Sequence, residues 1–213
     1  MATITDRHAA LRTQLIDAAE RIIVAEGLAA LKARDVAREA GCATGMIYNL
    51  FEHMDELVLC VGSRTLAMLD AALAQARRPD DEASSEGAVA ELVRLARAYL
   101  EFAATHTIRW RALFEHRMTH GRPLPDWFIE RQRLLFAQLE RPLAALLPEF
   151  TPSACRVFAR TLFSAVHGIV ALGLEEKLAS LAMPGLLDQL AATVCAIARG
   201  RAELHAIAHL SEQ

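Results

Sequence analysis

A run of polar and aromatic side chains between residues 32 and 53 has the chemistry to bind a polyanion such as DNA. The hydroxyl of Tyr48 can donate to a phosphate, and the Asn49 amide can form two hydrogen bonds with adenine. A helix that begins at Thr44 and Gly45 would place their backbone N–H groups at its positive end, where an anion is stabilised. We predict a DNA contact formed by Lys32, Arg34, Thr44, Gly45, Met46, Tyr48, Asn49 and His53.

Two short helices must hold these side chains in position. The pattern of residues 32–51 indicates one helix over 33–40, a turn at Gly41 and a second helix over 44–50. Such spacing is typical of a helix-turn-helix unit, whose second helix can enter the DNA major groove. Because the pair is too short to bury a core alone, flanking helices must support it.

Amphipathic helices are predicted on both sides of this pair. Apolar residues recur three and four positions apart over 7–25, and Gly27 can end that helix in the left-handed conformation. A longer helix is predicted over 54–75. We therefore predict a three-helix N-terminal domain over residues 1–53 and a larger helical domain over 54–213.

The remaining sequence is also helical by pattern. Ser85 can cap a helix, and Pro142 should break or kink the helix that Asp126 opens, because proline cannot donate an in-helix hydrogen bond. A polar loop over 76–87 and helices over 85–105, 107–118, 126 onwards, 152–179 and 184–209 are expected. The chain is rich in Ala and Leu and has only 10 Gly and 7 Pro, which favours an all-α fold.

Composition and patterning disfavour several classes of protein. The longest uncharged run, 161–174, is shorter than the roughly 18–20 residues that a membrane span needs, and the N-terminus lacks a signal-peptide pattern. The four cysteines stand singly at positions 42, 60, 155 and 195. This spacing indicates neither a disulfide framework nor a zinc site, and it fits a cytoplasmic protein.

No metal site, cofactor or catalytic centre is predicted. The pairs His116/His120 and His205/His209 have the i, i+4 spacing of metal ligands on a helix, but neither has a convincing third ligand. We find no nucleophile motif, phosphate-binding glycine loop or paired carboxylates, so an enzyme is the least favoured interpretation.

Residues 27–57 resemble the DNA-binding region of the TetR family of transcriptional repressors. The matching residues are Gly27, Arg34, Val36, Ala37, Ala40, Gly41, Gly45, Ile47, Tyr48, Phe51 and Leu57. The C-terminal part is similar to a subgroup named after a Trp-His-Gly signature, with His167 and Gly168 here and Phe163 at the aromatic position. The resemblance implies a homodimer with one helix-turn-helix per subunit and a larger domain that binds a small molecule, whose arrival releases DNA.

The charge of the N-terminal segment is unfavourable for DNA binding. Residues 1–56 hold six basic and nine acidic side chains, whereas phosphate neutralisation supplies much of DNA affinity. We therefore expect modest, salt-sensitive binding that depends on where the basic side chains lie and on two copies binding together.

The second domain is expected to contain an effector pocket and a dimer face. Aromatic walls with a few polar groups are typical of a small-molecule pocket, although ordinary core packing is the alternative. The predicted effector residues are Phe102, His106, Trp110, Phe114, Trp127 and His167. The predicted dimer residues, whose alternative is packing within one chain, are Ser164, Gly168, Leu186, Leu190, Val194 and Ile197.

The sequence thus favours a cytoplasmic repressor that binds a double-stranded DNA operator as a homodimer and responds to a small-molecule effector. The alternative is a helical small-molecule-binding or scaffold protein without DNA binding, which the acidic N-terminal segment favours. A substitution at Tyr48 separates the two, because only the repressor would lose operator binding with its fold intact.

Overall fold

The fold is all-α, as predicted. The computed structural model describes residues 3–78, 84–175 and 183–211, with side chains described up to residue 200. Helices make up 84% of it, and the described residues form no strand. In this part of the chain the α-helices are α1 Ile4–Glu26, α2 Ala33–Glu39, α3 Gly45–Leu50, α4 Met54–Ala76, α5 Ser85–Thr105, α6 Thr107–Glu115, α7 Asp126–Leu146, α8 Pro152–Gly173 and α9 Met183–Ser211.

The chain divides by its internal contacts into two compact units. Unit 1 comprises Met1–Met68 and His106–Arg131, and unit 2 comprises Leu69–Thr105 and Gln132–Gln213. Helices α4 and α7 therefore each begin in unit 1 and end in unit 2. The sequence predicted two domains that meet between residues 53 and 54. The two compact units do not test that domain boundary, which stays a prediction.

Unit 1 has a core built from the first four helices. Helix α1 buries the apolar face that its periodicity predicts, and short α2 and α3 add a few side chains each. The buried members are Leu15, Ile16, Ala18, Ala19, Ile22, Ile23, Val36, Ala37, Ile47, Phe51, Leu57 and Val61. Because α2 and α3 contribute so few of these, their position depends on α1 and α4.

Both ends of α1 are set by local hydrogen bonds. The Thr3 side chain accepts from the Asp6 N–H at 3.1 Å, and the Asp6 carboxylate accepts from the Thr3 N–H at 2.9 Å. This reciprocal pair is a capping box, and it starts the helix three residues before the predicted start at residue 7. At the other end Gly27, with a φ of 86°, ends the helix as predicted.

Three local predictions need correction. The Gly87 N–H donates to the Ser84 hydroxyl at 3.0 Å, so the cap of α5 is Ser84 and not Ser85. Helix α6 ends at Glu115 rather than at residue 118. Helix α7 runs through Pro142 without the predicted break, and the neighbouring Leu143 is fully buried. A kink at Pro142 stays a prediction.

The core of unit 2 lies between α5, α8 and α9. Helix α5 packs against both of the others, and α8 approaches α9 so closely that a Cβ at Gly173 would lie 2.7 Å from Leu186. Leu186, Leu190 and Val194 are at most 4% exposed in a single chain. Their own chain already covers these side chains, and their assignment to a dimer seam stays a prediction.

Helices α4 and α8 are long and apolar enough to cross a membrane, judged by length and composition alone. Core helices of soluble proteins satisfy the same criterion. In the most apolar stretch of each helix, 44% of the α4 residues and 28% of the α8 residues are buried. Helix α8 therefore keeps much of its apolar surface uncovered in one chain.

Candidate nucleic-acid interface

The helix-turn-helix unit forms from α2, a tight turn and α3, as predicted. Gly41 has a φ of 69°, in the left-handed region that glycine adopts without steric cost. The turn is closed by the Cys42 N–H, which donates to the Ala37 carbonyl oxygen at 2.9 Å. Any side chain at position 41 would strain this turn.

Helix α3 has one anchored face and one exposed face. Ile47 is fully buried, and the Phe51 N–H ends the helix by donating to the Ile47 carbonyl oxygen at 2.8 Å. The Arg12 guanidinium lies 4.6 Å from the centre of the Phe51 ring, close enough for a cation–π attraction. Tyr48, by contrast, is 56% exposed, and Asn49 beside it is also exposed.

The eight predicted DNA contacts all keep surface accessible to a partner. Five belong to one short segment, from Thr44 to Asn49, and two flank the start of α2. The exposed ones are Lys32, Arg34, Thr44, Gly45, Tyr48 and Asn49, and the half-exposed ones are Met46 and His53. Within the part of the chain that the structure describes, the Asn49 amide donates to the Met46 sulfur at 3.7 Å and its carbonyl oxygen remains available. The Thr44 hydroxyl makes no capping hydrogen bond to α3.

Ion pairs in the structure compensate part of the acidic charge that was counted in residues 1–56. Three arginines from later in the chain bind acidic side chains of residues 1–56. Arg64 pairs with Asp17 and Glu20, Arg109 also pairs with Glu20, and Arg122 pairs with Asp55. Part of the negative charge of residues 1–56 is therefore compensated by arginines from outside that segment.

Among the described residues, basic side chains of α1 and of the start of α2 remain available to phosphates. Lys32 and Arg7 have no carboxylate partner within the described part of the chain, and both are exposed. Arg34 reaches only its neighbour Asp35, at 4.0 Å. These cations could neutralise phosphates without first breaking a strong ion pair.

Glu20 joins three helices of unit 1. It lies on α1 and accepts from Arg64 of α4 at 2.5 Å and from Arg109 of α6. Burial alone would raise the pKa of Glu20, but the hydrogen bonds from Arg109 and Arg64 outweigh burial and lower the pKa below its usual 4.5. The group therefore stabilises unit 1 mainly in its charged form.

The Glu20→Gln variant is expected to lose about 2 kcal/mol of unfolding free energy at pH 7, because two arginines lose a charged acceptor. Since the pKa is lower in the folded state, this contribution is complete above the unfolded pKa and disappears as the pH falls through the folded value. Urea unfolding at pH 7 and below pH 4 measures both effects. The control is Glu26→Gln, an exposed carboxylate on the same helix; an equal loss in both variants would contradict the assignment.

The predicted effector residues are divided between the two units. Unit 1 holds His106, Trp110, Phe114 and Trp127, and unit 2 holds Phe102 and His167. In unit 1 the rings of Trp110 and Phe114 are 5.5 Å apart. Trp127 lines an open cavity of about 580 Å³ together with Met118, Arg122, Pro123, Leu124, Pro125 and residues of the α4 start.

Unit 2 contains an aromatic cluster around His167, of which the sequence indicated only a part. The Tyr99 hydroxyl and His167 Nδ1 share a hydrogen bond of 2.8 Å. The Phe163 ring stacks on His167 at 5.6 Å and meets Phe136 edge-on at 5.3 Å. Tyr99 and Phe136 were missed because they are far from His167 in the sequence. The signal that could have identified Tyr99 is that the hydroxyl of a buried tyrosine needs a hydrogen-bond partner.

The histidine pairs do not form helical metal-ligand pairs where they can be checked. His116 ends α6, and His120 lies in a turn with a φ of 56°, so the two do not share a helix face. The His205 and His209 side chains lie outside the described residues. Among the side chains that the structure describes, no group of three His, Cys, Asp or Glu could hold a metal ion. Burial lowers the pKa of both His116 and His167.

Known proteins resemble this chain in both sequence and fold. The family model of bacterial regulatory proteins of the tetR family matches residues 15–61, and that of the tetracyclin repressor-like C-terminal domain matches residues 92–198. No curated protein matches the sequence.

Three solved structures have a similar fold. A TetR-like transcriptional regulator from Rhodococcus sp. RHA1 is 22% identical, with a TM-score of 0.55 over 91% of this chain and 97% of that one. RolR, in complex with resorcinol, is 20% identical, with a TM-score of 0.62 over 93% of this chain and 95% of that one. PfmR, a TetR family regulator from Thermus thermophilus, is 14% identical, with a TM-score of 0.55 over 87% of this chain and 97% of that one.

The two family matches cover, respectively, the segment predicted to bind DNA and the larger helical part of the chain. The N-terminal match contains α2, the turn and the exposed α3, and the C-terminal match spans half of the chain, including most of unit 2. Regulators of this family bind DNA and small-molecule ligands and are generally not enzymes. The chain belongs to the TetR family and is a DNA-binding transcriptional regulator.

Proposed function

We propose that the protein is a cytoplasmic repressor that binds a double-stranded operator as a homodimer and leaves it when a small molecule binds. The observation that carries the proposal is the geometry of α3. Buried Ile47 and Phe51 fix its orientation, whereas Tyr48 and Asn49 remain exposed. A helix held in this way can lie in a major groove with little loss of conformational freedom.

The proposed contacts divide into two classes. Tyr48, Lys32 and Arg34 bind phosphates, which set the position of the protein and most of its affinity. Asn49 and Thr44 face base edges, where hydrogen bonds distinguish one sequence from another. The remaining predicted contacts, Gly45, Met46 and His53, complete the same surface.

The proposed dimer face is a stripe along α8. Val157 and Leu172 are 62% and 55% exposed, and Thr161, Ser164 and Gly168 lie between them at spacings of three and four. These spacings place all five residues on one helix face. A Cβ at Gly168 would meet no atom within 4 Å, so a second helix has room to approach there. Of the predicted dimer residues, Ser164, Gly168 and half-buried Ile197 therefore remain in the proposal.

The polar members of this stripe are compatible with burial in an interface. The Thr161 hydroxyl donates to the Val157 carbonyl oxygen at 3.2 Å, and the Ser164 hydroxyl donates to the Arg160 carbonyl oxygen at 2.8 Å. Covering these groups would leave no unsatisfied donor. Two copies of the stripe related by a two-fold axis would form an isologous interface.

We propose a small aromatic molecule with hydroxyl groups as the effector. In unit 2 the Phe163 ring packs against Phe136 and against His167, so apolar ring surface lies beside the polar atoms of the Tyr99–His167 pair. This combination suits such a ligand, and RolR, which is similar in fold, was solved with resorcinol. The contribution of each predicted effector residue stays a prediction.

The test is fluorescence anisotropy with labelled duplexes taken from the DNA beside the protein's own gene. At low salt we expect one duplex to bind more tightly than an unrelated duplex of equal length. The logarithm of affinity should fall linearly with the logarithm of salt concentration, with a slope of about −0.9 for each neutralised phosphate. Added resorcinol serves as the first effector probe and should reduce binding.

Two results would contradict the proposal. If every duplex bound no better than the unrelated one, the protein would be a helical binding or scaffold protein without a DNA role. If a specific duplex bound equally well with resorcinol and with a panel of other phenols, the proposed effector class would be wrong, while the operator contact would stand.

A further inference from the structure

Asp55, in the first turn of α4, binds the segment that connects α6 to α7. Asp55 is 5% exposed, and its carboxylate accepts from the Thr119 N–H at 3.1 Å and from the Thr119 hydroxyl at 3.0 Å. It also accepts from Arg122 Nη2 at 3.2 Å, and His116 Nε2 lies 3.5 Å away. We call the three hydrogen bonds to Thr119 and Arg122 the Asp55 tether.

The next residue of α4 binds the helix-turn-helix unit instead. The Glu56 carboxylate accepts from the Glu52 N–H at 2.8 Å and from Arg12 Nη2 at 2.7 Å. Glu52 directly follows Phe51, the residue that ends α3. Two adjacent carboxylates on one helical turn therefore join the end of α3 to the α6–α7 segment.

The α6–α7 segment adopts a strained turn where it meets Asp55. His120 has a φ of 56°, which is uncommon for a residue with a side chain, and Gly121 has a φ of 66°. Arg122 Nε donates back to the Thr119 carbonyl oxygen at 3.2 Å. Such strain persists only where the surroundings fix it, and here Asp55 binds the residues on both sides of the turn.

Helices α4 and α7 also contact each other at two places after the Asp55 tether. Within unit 1, a Cβ at Gly62 of α4 would lie 3.5 Å from the Phe128 ring of α7. Within unit 2, Gln138 of α7 donates to the Asp70 carbonyl oxygen of α4 at 3.2 Å and to the Asp70 carboxylate. Helices α4 and α7 are therefore in contact within each of the two units.

We propose that Asp55 is a positioning residue through which the α6–α7 segment controls the orientation of α3 and hence operator affinity, an inference that rests on the proposed function. When the tether holds, the first turn of α4 and the end of α3 keep one arrangement. When the α6–α7 segment moves, Asp55 moves the start of α4, and Glu56 carries that movement to the helix-turn-helix unit.

The experiment breaks the tether from both sides and measures operator affinity and amide hydrogen exchange at residues 50–56. Asp55→Asn, Thr119→Val and Arg122→Ala should each weaken operator binding about 5-fold or more, the usual lower range of coupling between sites. Each should also speed exchange at residues 50–56. Arg122→Lys keeps a cation near Asp55 and should stay within about twofold of the wild type.

The charge change at Asp55 separates positioning from simple electrostatics. Asp55→Asn removes a negative charge, so a residue that only repels phosphates would give tighter binding when it is replaced. The proposal expects weaker binding. The matched control is Arg117→Ala, which removes an exposed arginine of the same segment that is not among the groups bound to Asp55.

Three outcomes would overturn the inference: tighter or unchanged operator binding by Asp55→Asn, unchanged exchange at residues 50–56 in every variant, or an equal effect of Arg117→Ala. If the wild type binds no duplex, the proposed function fails. In that case, amide hydrogen exchange at residues 50–56 of the free wild type and variants still shows whether the Asp55 tether orders the start of α4.

Discussion

Tyr48→Ala is expected to weaken operator binding by on the order of 100-fold and to leave the free energy of unfolding nearly unchanged. A lost hydrogen bond to a charged group costs about 1.5 kcal/mol, and a homodimer loses two of them. Tyr48 is more than half exposed, and surface substitutions usually change stability by about 0.5 kcal/mol or less. Anisotropy titration and urea unfolding measure the two quantities.

Two further variants show which part of Tyr48 matters. Tyr48→Phe keeps the ring and removes the hydroxyl, so it should account for most of the loss if the hydroxyl binds a phosphate. Ile129→Ala shortens a similarly exposed side chain of unit 1 and should bind the operator normally. A Tyr48→Ala variant that binds as tightly as the wild type would refute the proposed contact, and one that unfolds would show a structural role.

Leu172→Glu is expected to raise the dimer dissociation constant by at least about 100-fold. An isologous interface contains each substitution twice, so two carboxylates would be buried without partners, at a cost of several kcal/mol. Leu172 is exposed on α8 in a single chain, so the monomer itself should remain folded. Analytical ultracentrifugation over a concentration series measures the dissociation constant, and operator affinity should fall in parallel.

The matched control for the dimer face is Leu134→Glu. Leu134 is an exposed leucine of unit 2 that lies on α7, outside the α8 stripe. The two variants add the same charge, so a difference between them reports the position and not the charge. A wild-type protein that sediments as a monomer at micromolar concentration would remove the basis of this prediction.

The sequence alone identified the elements whose signals are local. Apolar spacing located α1 to within three residues, and Gly41 marked the turn between α2 and α3. The exposure of Tyr48 was also predicted from the sequence, and a helix of six residues has one face for the core and one for solvent. These signals were sufficient for the fold class and for the outward presentation of the predicted DNA contacts.

Charge compensation around the helix-turn-helix unit could not be read from the sequence. Residues 1–56 carry an excess of acidic groups, but Arg64, Arg109 and Arg122 come from outside that segment and bind three of them. A count along the chain includes only neighbours in sequence. Coulomb interaction depends on distance in space, which is set by the packing of α4 and α6 against α1 and of the α6–α7 segment against α4.

Helical periodicity also could not decide which surface covers a given apolar face. The sequence marked Leu186, Leu190 and Val194 as an apolar seam, yet their own chain covers them, whereas the α8 stripe from Val157 to Leu172 stays exposed. It likewise could not join Tyr99 to His167, which are 68 positions apart. By itself the sequence determined which faces are apolar and where helices start and stop, because both depend on nearby residues. Only the tertiary structure decided which faces and charges meet, because those contacts join residues that the chain keeps far apart.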